Sequence, residues 1–146
     1  MKKYEFTGEV KVVFGITLHR IRAAVSFGAV VKGELGGWIE KEDNLSQNGN
    51  AWVYGNAEVC DNAKVCGNAE VCDNAKVCGN ADYIVFKNWW SSGRYFTWTR
   101  SNNKWRVGCF LGTGAELIAK AYKDSEQSGR EYERVVKYVE SILNEQ

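Results

Sequence analysis

Apolar and polar positions alternate with three different rhythms along this chain. Between residues 49 and 84 the rhythm is six: GNAWVY, GNAEVC, DNAKVC, GNAEVC, DNAKVC and GNADYI follow one another in register. Ala recurs at 51, 57, 63, 69, 75 and 81, and Val at 53, 59, 65, 71 and 77. A period of six fits neither 3.6 nor 3.5 and so argues against a helix. It divides by two, so a short strand can turn Ala and Val to one side and leave the residue between them outside. Gly-Asn and Asp-Asn pairs supply the corners, because both tolerate turn geometry. Stacking successive units at about 4.8 Å buries the Ala/Val row.

The flanks read differently. Alternating β-branched and aromatic residues predict strands near 4–14 and 16–25, joined as a hairpin. Ile39 and Leu45, six apart, suggest a degenerate further unit with Trp38 as its lid. Downstream, DYIVFK, RYFTWTR (94–100) and KWRVGCF (104–110) read as strands, the last two joined by Ser101-Asn102-Asn103. Thr113 and Glu116 have the spacing of a capping box, with Leu117, Ile118, Ala121 and Tyr122 as the apolar stripe of a helix. Ser128-Gly129 reads as its end, and Tyr132, Val135, Val136, Val139, Ile142 and Leu143 mark a second helix. The expected organisation is a β cap over 1–48, a repeat over 49–84, and a ββ(β)αα module over 85–146.

Composition narrows the classes. An apolar fraction of 45% with 13% aromatics excludes global disorder. The net charge of +1 excludes a uniformly basic nucleic-acid binder. Charge is nevertheless segregated: residues 49–82 sum to −3, and residues 83–115 to +5 with no acid among them. No apolar run reaches the roughly 18 residues of a membrane span, and MKKYEFTGEV turns polar too early for a secretory leader. A cytoplasmic protein with reduced cysteines is the expectation.

Three stretches, TLHRIRA, GELGGWIEKEDNLSQNGNAWVYGNA and DYIVFKNWWSSGRYFTW, together resemble small hexapeptide-repeat proteins of bacteriophages, prophages and gut bacteria. That resemblance implies a short left-handed parallel β-helix between the two flanking modules, a mainly β fold with some α, and a phage or mobile-element origin in a bacterial host cell. It also implies three units, eighteen residues, per turn, which sets Glu58 against Lys76, Lys64 against Asp82, and Cys60 beside Cys78. It supplies no catalytic residues.

Three functions from different classes stay open. The preferred one is a non-catalytic accessory protein that binds and inhibits a bacterial host protein, of the anti-defence or anti-CRISPR kind. Its partner would be a defence nuclease or the nucleoprotein complex of one. The second is a nucleic-acid or nucleotide binder (a sponge) using the basic, aromatic strands 94–106. The third is a hexapeptide-type acyltransferase, against which stands the single His19, outside the repeat. The candidate partner-binding residues are Trp52, Tyr54, Trp89, Trp90, Arg94, Trp98, Arg100, Lys104 and Arg106, since aromatics and Arg dominate interface energetics. No catalytic set and no cofactor are expected, and no metal either, because six-residue spacing spreads Cys60, Cys66, Cys72 and Cys78 over different faces. Side-by-side or end-to-end self-association is a further expectation.

Overall fold

The computed structural model describes residues 2–145. It opens on the expected hairpin, β1 (Tyr4–Val13) and β2 (Ile16–Ala23). The two residues between them, Phe14 and Gly15, both have positive φ, as a two-residue hairpin turn that follows strand twist requires. β3 (Leu35–Ile39) pairs antiparallel with β2. The repeat then supplies four strands of two residues each: β4 (Trp52–Val53), β5 (Glu58–Val59), β6 (Glu70–Val71) and β7 (Lys76–Val77). The C-terminal module contains β8 (Tyr83–Lys87), β9 (Tyr95–Thr99), β10 (Lys104–Val107) and β11 (Phe110–Gly112), followed by α1 (Gly114–Asp124) and α2 (Glu126–Asn144).

These strands correct the expected fold. They fall into three separate sheets, in the orders β1-β2-β3-β5-β7, β11-β10-β9-β8 and β4-β6. None is closed or curled into a left-handed β-helix, and with two C-terminal helices the fold is mixed α/β. The resemblance to phage hexapeptide-repeat proteins is withdrawn on the same ground. The physical reason is strand length. Two residues make too little ladder to stand alone, so β5 and β7 extend the sheet of the N-terminal hairpin through β3. β4 and β6 make a minimal ladder of their own. Elsewhere the repeat contributes one isolated bridge, Val65 to Leu45.

Burial and register do follow the period. Ala51, Ala57, Ala63, Ala69 and Ala75 are buried, as are Val53, Val59, Val65, Val71 and Val77, and all join one core with Tyr4, Ile21, Ile39 and Trp52. Glu58 faces Lys76 across the parallel pair. Its carboxylate, however, is taken by Lys11 of β1 at 2.8 Å. Ala81 is exposed because the sixth unit leaves the pattern in a 3-10 turn over Asn80–Asp82. Asp82 meets backbone there instead of Lys64: its Oδ2 accepts from the N–H groups of Cys78 and Gly79. Trp38 is no lid; it packs with Leu18 and Cys60 in a small separate cluster.

The ladders of the repeat bond in both directions. The N–H groups of Trp52, Tyr54, Glu58 and Cys60 donate to the carbonyls of Ala69, Val71, Ala75 and Val77, while Val65 N–H donates back to Asn44 O. Each outer step therefore leaves backbone groups with no further strand to pair with. At the last step the N–H groups have no further strand, and side-chain oxygens replace it. Glu70 N–H donates to Thr97 Oγ1 (3.0 Å), Lys76 N–H to Ser101 Oγ (2.7 Å), and Lys64 N–H to Asn80 Oδ1 (3.1 Å). At the other end side-chain donors meet free carbonyls: Lys3 Nζ reaches Ala51 O (2.8 Å) and Tyr4 OH reaches Leu45 O (2.6 Å).

The C-terminal module departs from expectation twice. What reads as one strand over 104–110 is two, because Gly108 (φ +57°) turns the chain between β10 and β11. The Thr113–Glu116 capping box forms, but the helix break falls at Ser125. That residue is extended, and its side chain caps α2 by accepting from Ser128 N–H. Gly129 lies inside α2, where the Tyr122 ring of α1 occupies the space a Cβ would need. Phe96, Trp98, Trp105, Leu117, Tyr132, Val136 and Val139 fill the core between sheet and helices.

Two tests follow from the ends of the ladders. Thr97→Val keeps shape but strands the Glu70 N–H; a loss of about 1–2 kcal/mol in urea unfolding is expected, and Ser101→Ala should cost less at its more exposed position. Lys3 supplies a pH test. Burial lowers its ammonium to about 8, while the unfolded lysine keeps the ordinary 10.5. Above pH 8 the unfolded state thus binds more protons, so this group's contribution to stability rises with pH. Tyr4, Tyr54 and Tyr83, raised by burial, reverse the trend above about pH 10, where unfolded tyrosines ionise. The urea midpoint should climb between pH 7.5 and 9.5, and Lys3→Met should flatten that climb.

A candidate ligand cleft in the C-terminal module

The nine residues singled out from sequence do not form one surface. Trp52 is fully buried, edge-on to Phe27 (5.3 Å between centroids) and Tyr4 (6.4 Å). Trp98 is fully buried too, and its indole N–H donates to Asn103 Oδ1 at 2.8 Å. Strand alternation in β9 turns Phe96 and Trp98 toward the helices, while Thr97 reaches the repeat. The aromatic face expected to stack bases is thus a core.

The basic side chains of this stretch mostly turn back onto the acidic repeat. Arg106 lies 3.1 Å from Glu70 and over the Tyr54 ring (5.1 Å). Lys104 pairs with Asp73 at 3.1 Å. Arg100 donates through Nε to Ala81 O (3.2 Å) and lies over the Trp98 ring (5.7 Å). The charges of −3 and +5 read in adjacent segments thus meet across the seam between repeat and C-terminal module. Burial raises the Glu70 carboxyl, and Arg106 opposes that shift. Burial also raises the Cys72 thiol beside the same arginine.

Arg94 is different. Among the described residues no carboxylate comes within 4 Å of its guanidinium. It stands on the rim of a cleft of about 480 Å³, cut between the 88–94 loop, the β10–β11 turn, the end of α1 and the start of α2. Trp90 packs behind two lining residues: its ring meets Tyr132 edge-on at 4.9 Å, and its N–H reaches Ser128 Oγ at 3.4 Å. Trp89 beside it points outward, 67% exposed.

Asn88 forms the inner wall. Its backbone closes the loop, donating to Arg94 O (2.8 Å) and accepting from Gly93 N–H (2.9 Å). Its side-chain Nδ2 donates to Tyr132 OH at 3.3 Å. Its Oδ1 is buried with no partner, although the residue is only 6% exposed. A buried amide oxygen left unpaired costs about 1–3 kcal/mol, and a ligand N–H or O–H would remove that cost once the amide turned its oxygen toward the cleft. Lys120 and Asp124 of α1, 4.0 Å apart, face the same space, as do Ser125 and Ser128 at the start of α2. Sequence reasoning found Arg94, Trp89 and Trp90 but missed Asn88, Tyr132 and the serines. They share no period and meet only through the loop and the packing of two helices.

His19 takes no part. It sits in β2 with its ring stacked on Phe6 at 4.4 Å. Among the described residues no group of three or more His, Cys, Asp or Glu side chains could hold a metal ion. None of their helices is long and apolar enough to cross a membrane.

No family model matches the chain. Over 39 residues, 27% of its length, it is 44% identical to a protein of Escherichia coli (strain K12) named as the uncharacterized acetyltransferase YdcK. The aligned stretch covers 12% of that protein, so the chain spans about an eighth of the curated relative it matches.

The pairing of Arg106 can be tested directly. Arg106→Met leaves Glu70 half-buried without its cation and should cost roughly 1–2 kcal/mol in urea unfolding at pH 7. Were Arg106 a solvated contact waiting for phosphate, stability would not change.

Proposed function

We propose that the chain is a binding protein whose recognition site is the C-terminal cleft, and that its ligand is a small phosphorylated molecule of the nucleotide or sugar-phosphate class. The observation that carries this reading is the pairing of complementary needs in one cleft. Arg94 offers guanidinium donors with no carboxylate among the described residues within 4 Å, and Asn88 offers a buried acceptor with no donor. A phosphate fits the first and a hydroxyl or amide N–H the second. Val107, Phe110, Leu117 and Tyr132 add an apolar wall of the kind such sites use. This keeps the nucleotide-binder reading but moves it from strands 94–106, whose cations are largely occupied, to the cleft that Arg94 borders.

A second reading, acetyl transfer, is favoured by one observation, the partial likeness to a protein named an acetyltransferase. The two readings share a phosphorylated nucleotide as ligand, since acyl donors of this class carry one. Binding of a bacterial host protein would engage the exposed Trp89, and the inhibitor reading has no further residue to rest on.

The test is titration of the intact chain with adenosine 5′-monophosphate, ribose 5-phosphate and acetyl-coenzyme A, followed by tryptophan emission. Saturable quenching by at least one is expected, weakened at least tenfold in Arg94→Ala. No saturable change with any of the three at millimolar concentration, or an unchanged response in Arg94→Ala, would overturn the reading. Release of free thiol from acetyl-coenzyme A would favour acetyl transfer over binding alone.

A further inference from the structure

The repeat places four cysteines six residues apart, and the fold treats them unequally. Cys66 approaches the Tyr83 hydroxyl at 4.0 Å. Cys72 is buried beside Arg106. Cys109, outside the repeat, is exposed in the β10–β11 turn. Cys60 and Cys78 alone meet: they follow the register pair Val59–Val77, Cys60 N–H donates to Val77 O at 3.0 Å, and their Sγ atoms lie 3.0 Å apart.

We infer that Cys60 and Cys78 form a reversible disulfide that ties β5 to β7, a modification site that rests on the fold alone and not on the cleft. The geometry suits it. Neighbouring strands stand about 4.8 Å apart, inside the roughly 4.4–6.8 Å between Cα atoms that a disulfide spans. The thiols also differ in access, which orders the chemistry. Cys78 is exposed, whereas Cys60 is 8% exposed under Leu18 and Trp38. With hydrogen peroxide as oxidant, the Cys78 sulfur takes one oxygen to become a sulfenic acid, and the first water leaves. The Cys60 sulfur, giving up its proton, then attacks the Cys78 sulfur. The S–O bond breaks, the S–S bond forms, and the proton and hydroxide leave as the second water. Two thiols are oxidised by two electrons and one peroxide is reduced to two waters.

The bond would lie at the end of the ladder, next to the Cys78 N–H that Asp82 caps at 2.9 Å. Cross-linking residues eighteen apart constrains the unfolded chain, so the oxidised protein should melt about 5 °C higher. The full chain is treated with one equivalent of hydrogen peroxide, alkylated and digested with trypsin without reduction. Cleavage after Lys41, Lys64, Lys76 and Lys87 puts Cys60 and Cys78 in separate peptides, 42–64 and 77–87, and Cys66 with Cys72 in a third. The expected product is 42–64 joined to 77–87, two of five thiols lost, and a rise in melting temperature that dithiothreitol reverses and Cys78→Ser abolishes. Cross-links through Cys66 or Cys109, covalent dimers, or Cys78 oxidised to sulfinic acid beside a free Cys60 would overturn the proposal.

Discussion

The parallel ladders of the repeat run out of strands at both ends, and most of this structure answers that constraint. Between steps the bonds run both ways: Trp52 N–H donates forward to Ala69 O, and Val65 N–H back to Asn44 O. The outer steps are left with backbone groups that no strand pairs, and these cannot be left dry without cost. Side chains of the flanking modules finish them. Acceptors from Thr97, Ser101, Asp82 and Asn80 meet N–H groups at the C-terminal end. Lys3 and Tyr4 supply donors at the other. Each flanking module thus completes hydrogen bonding as well as covering apolar cross-section, so the short repeat needs both to exist.

That arrangement decides which surface is left for recognition. Holding the C-terminal sheet on the last step uses Arg106, Lys104 and Arg100 against the acids and carbonyls of the repeat. The tryptophans of the same stretch form the core between sheet and helices. A segment that looks in sequence like a nucleic-acid platform is therefore mostly an internal joint. What escapes the joint is the far side of the module. There the 88–94 loop and the α1–α2 corner enclose a cleft bordered by Arg94, with the unpartnered Asn88 Oδ1 in its wall.

Legibility in the sequence tracked how local each cause was. The hairpin, the buried Ala and Val rows and the Thr113 cap were readable, because each rests on a period or on residues three or four apart, whereas the Glu58–Lys76 register came from the eighteen-residue turn that the resemblance implied. The left-handed β-helix was not. Whether two-residue strands close on themselves or join a neighbouring sheet depends on contacts between β2, β3 and β5 that no period encodes. The helix break was misplaced at Gly129 because that glycine makes room for the Tyr122 ring of α1 and marks no turn, while the break itself lies at the extended Ser125. The cleft was half seen: charge segregation marked Arg94, but its separation from Arg100, Lys104 and Arg106 depends on which acids the fold brings near.

The account turns on the backbone donors of the final step being closed by side chains. Amide hydrogen exchange at single-residue resolution reads those donors directly. The account predicts that the Glu70 and Lys76 amides are protected to within about tenfold of Trp52 and Glu58, which bond within the ladders. Glu70 and Lys76 exchanging at the rate of unstructured amides while Trp52 and Glu58 stay protected would contradict it.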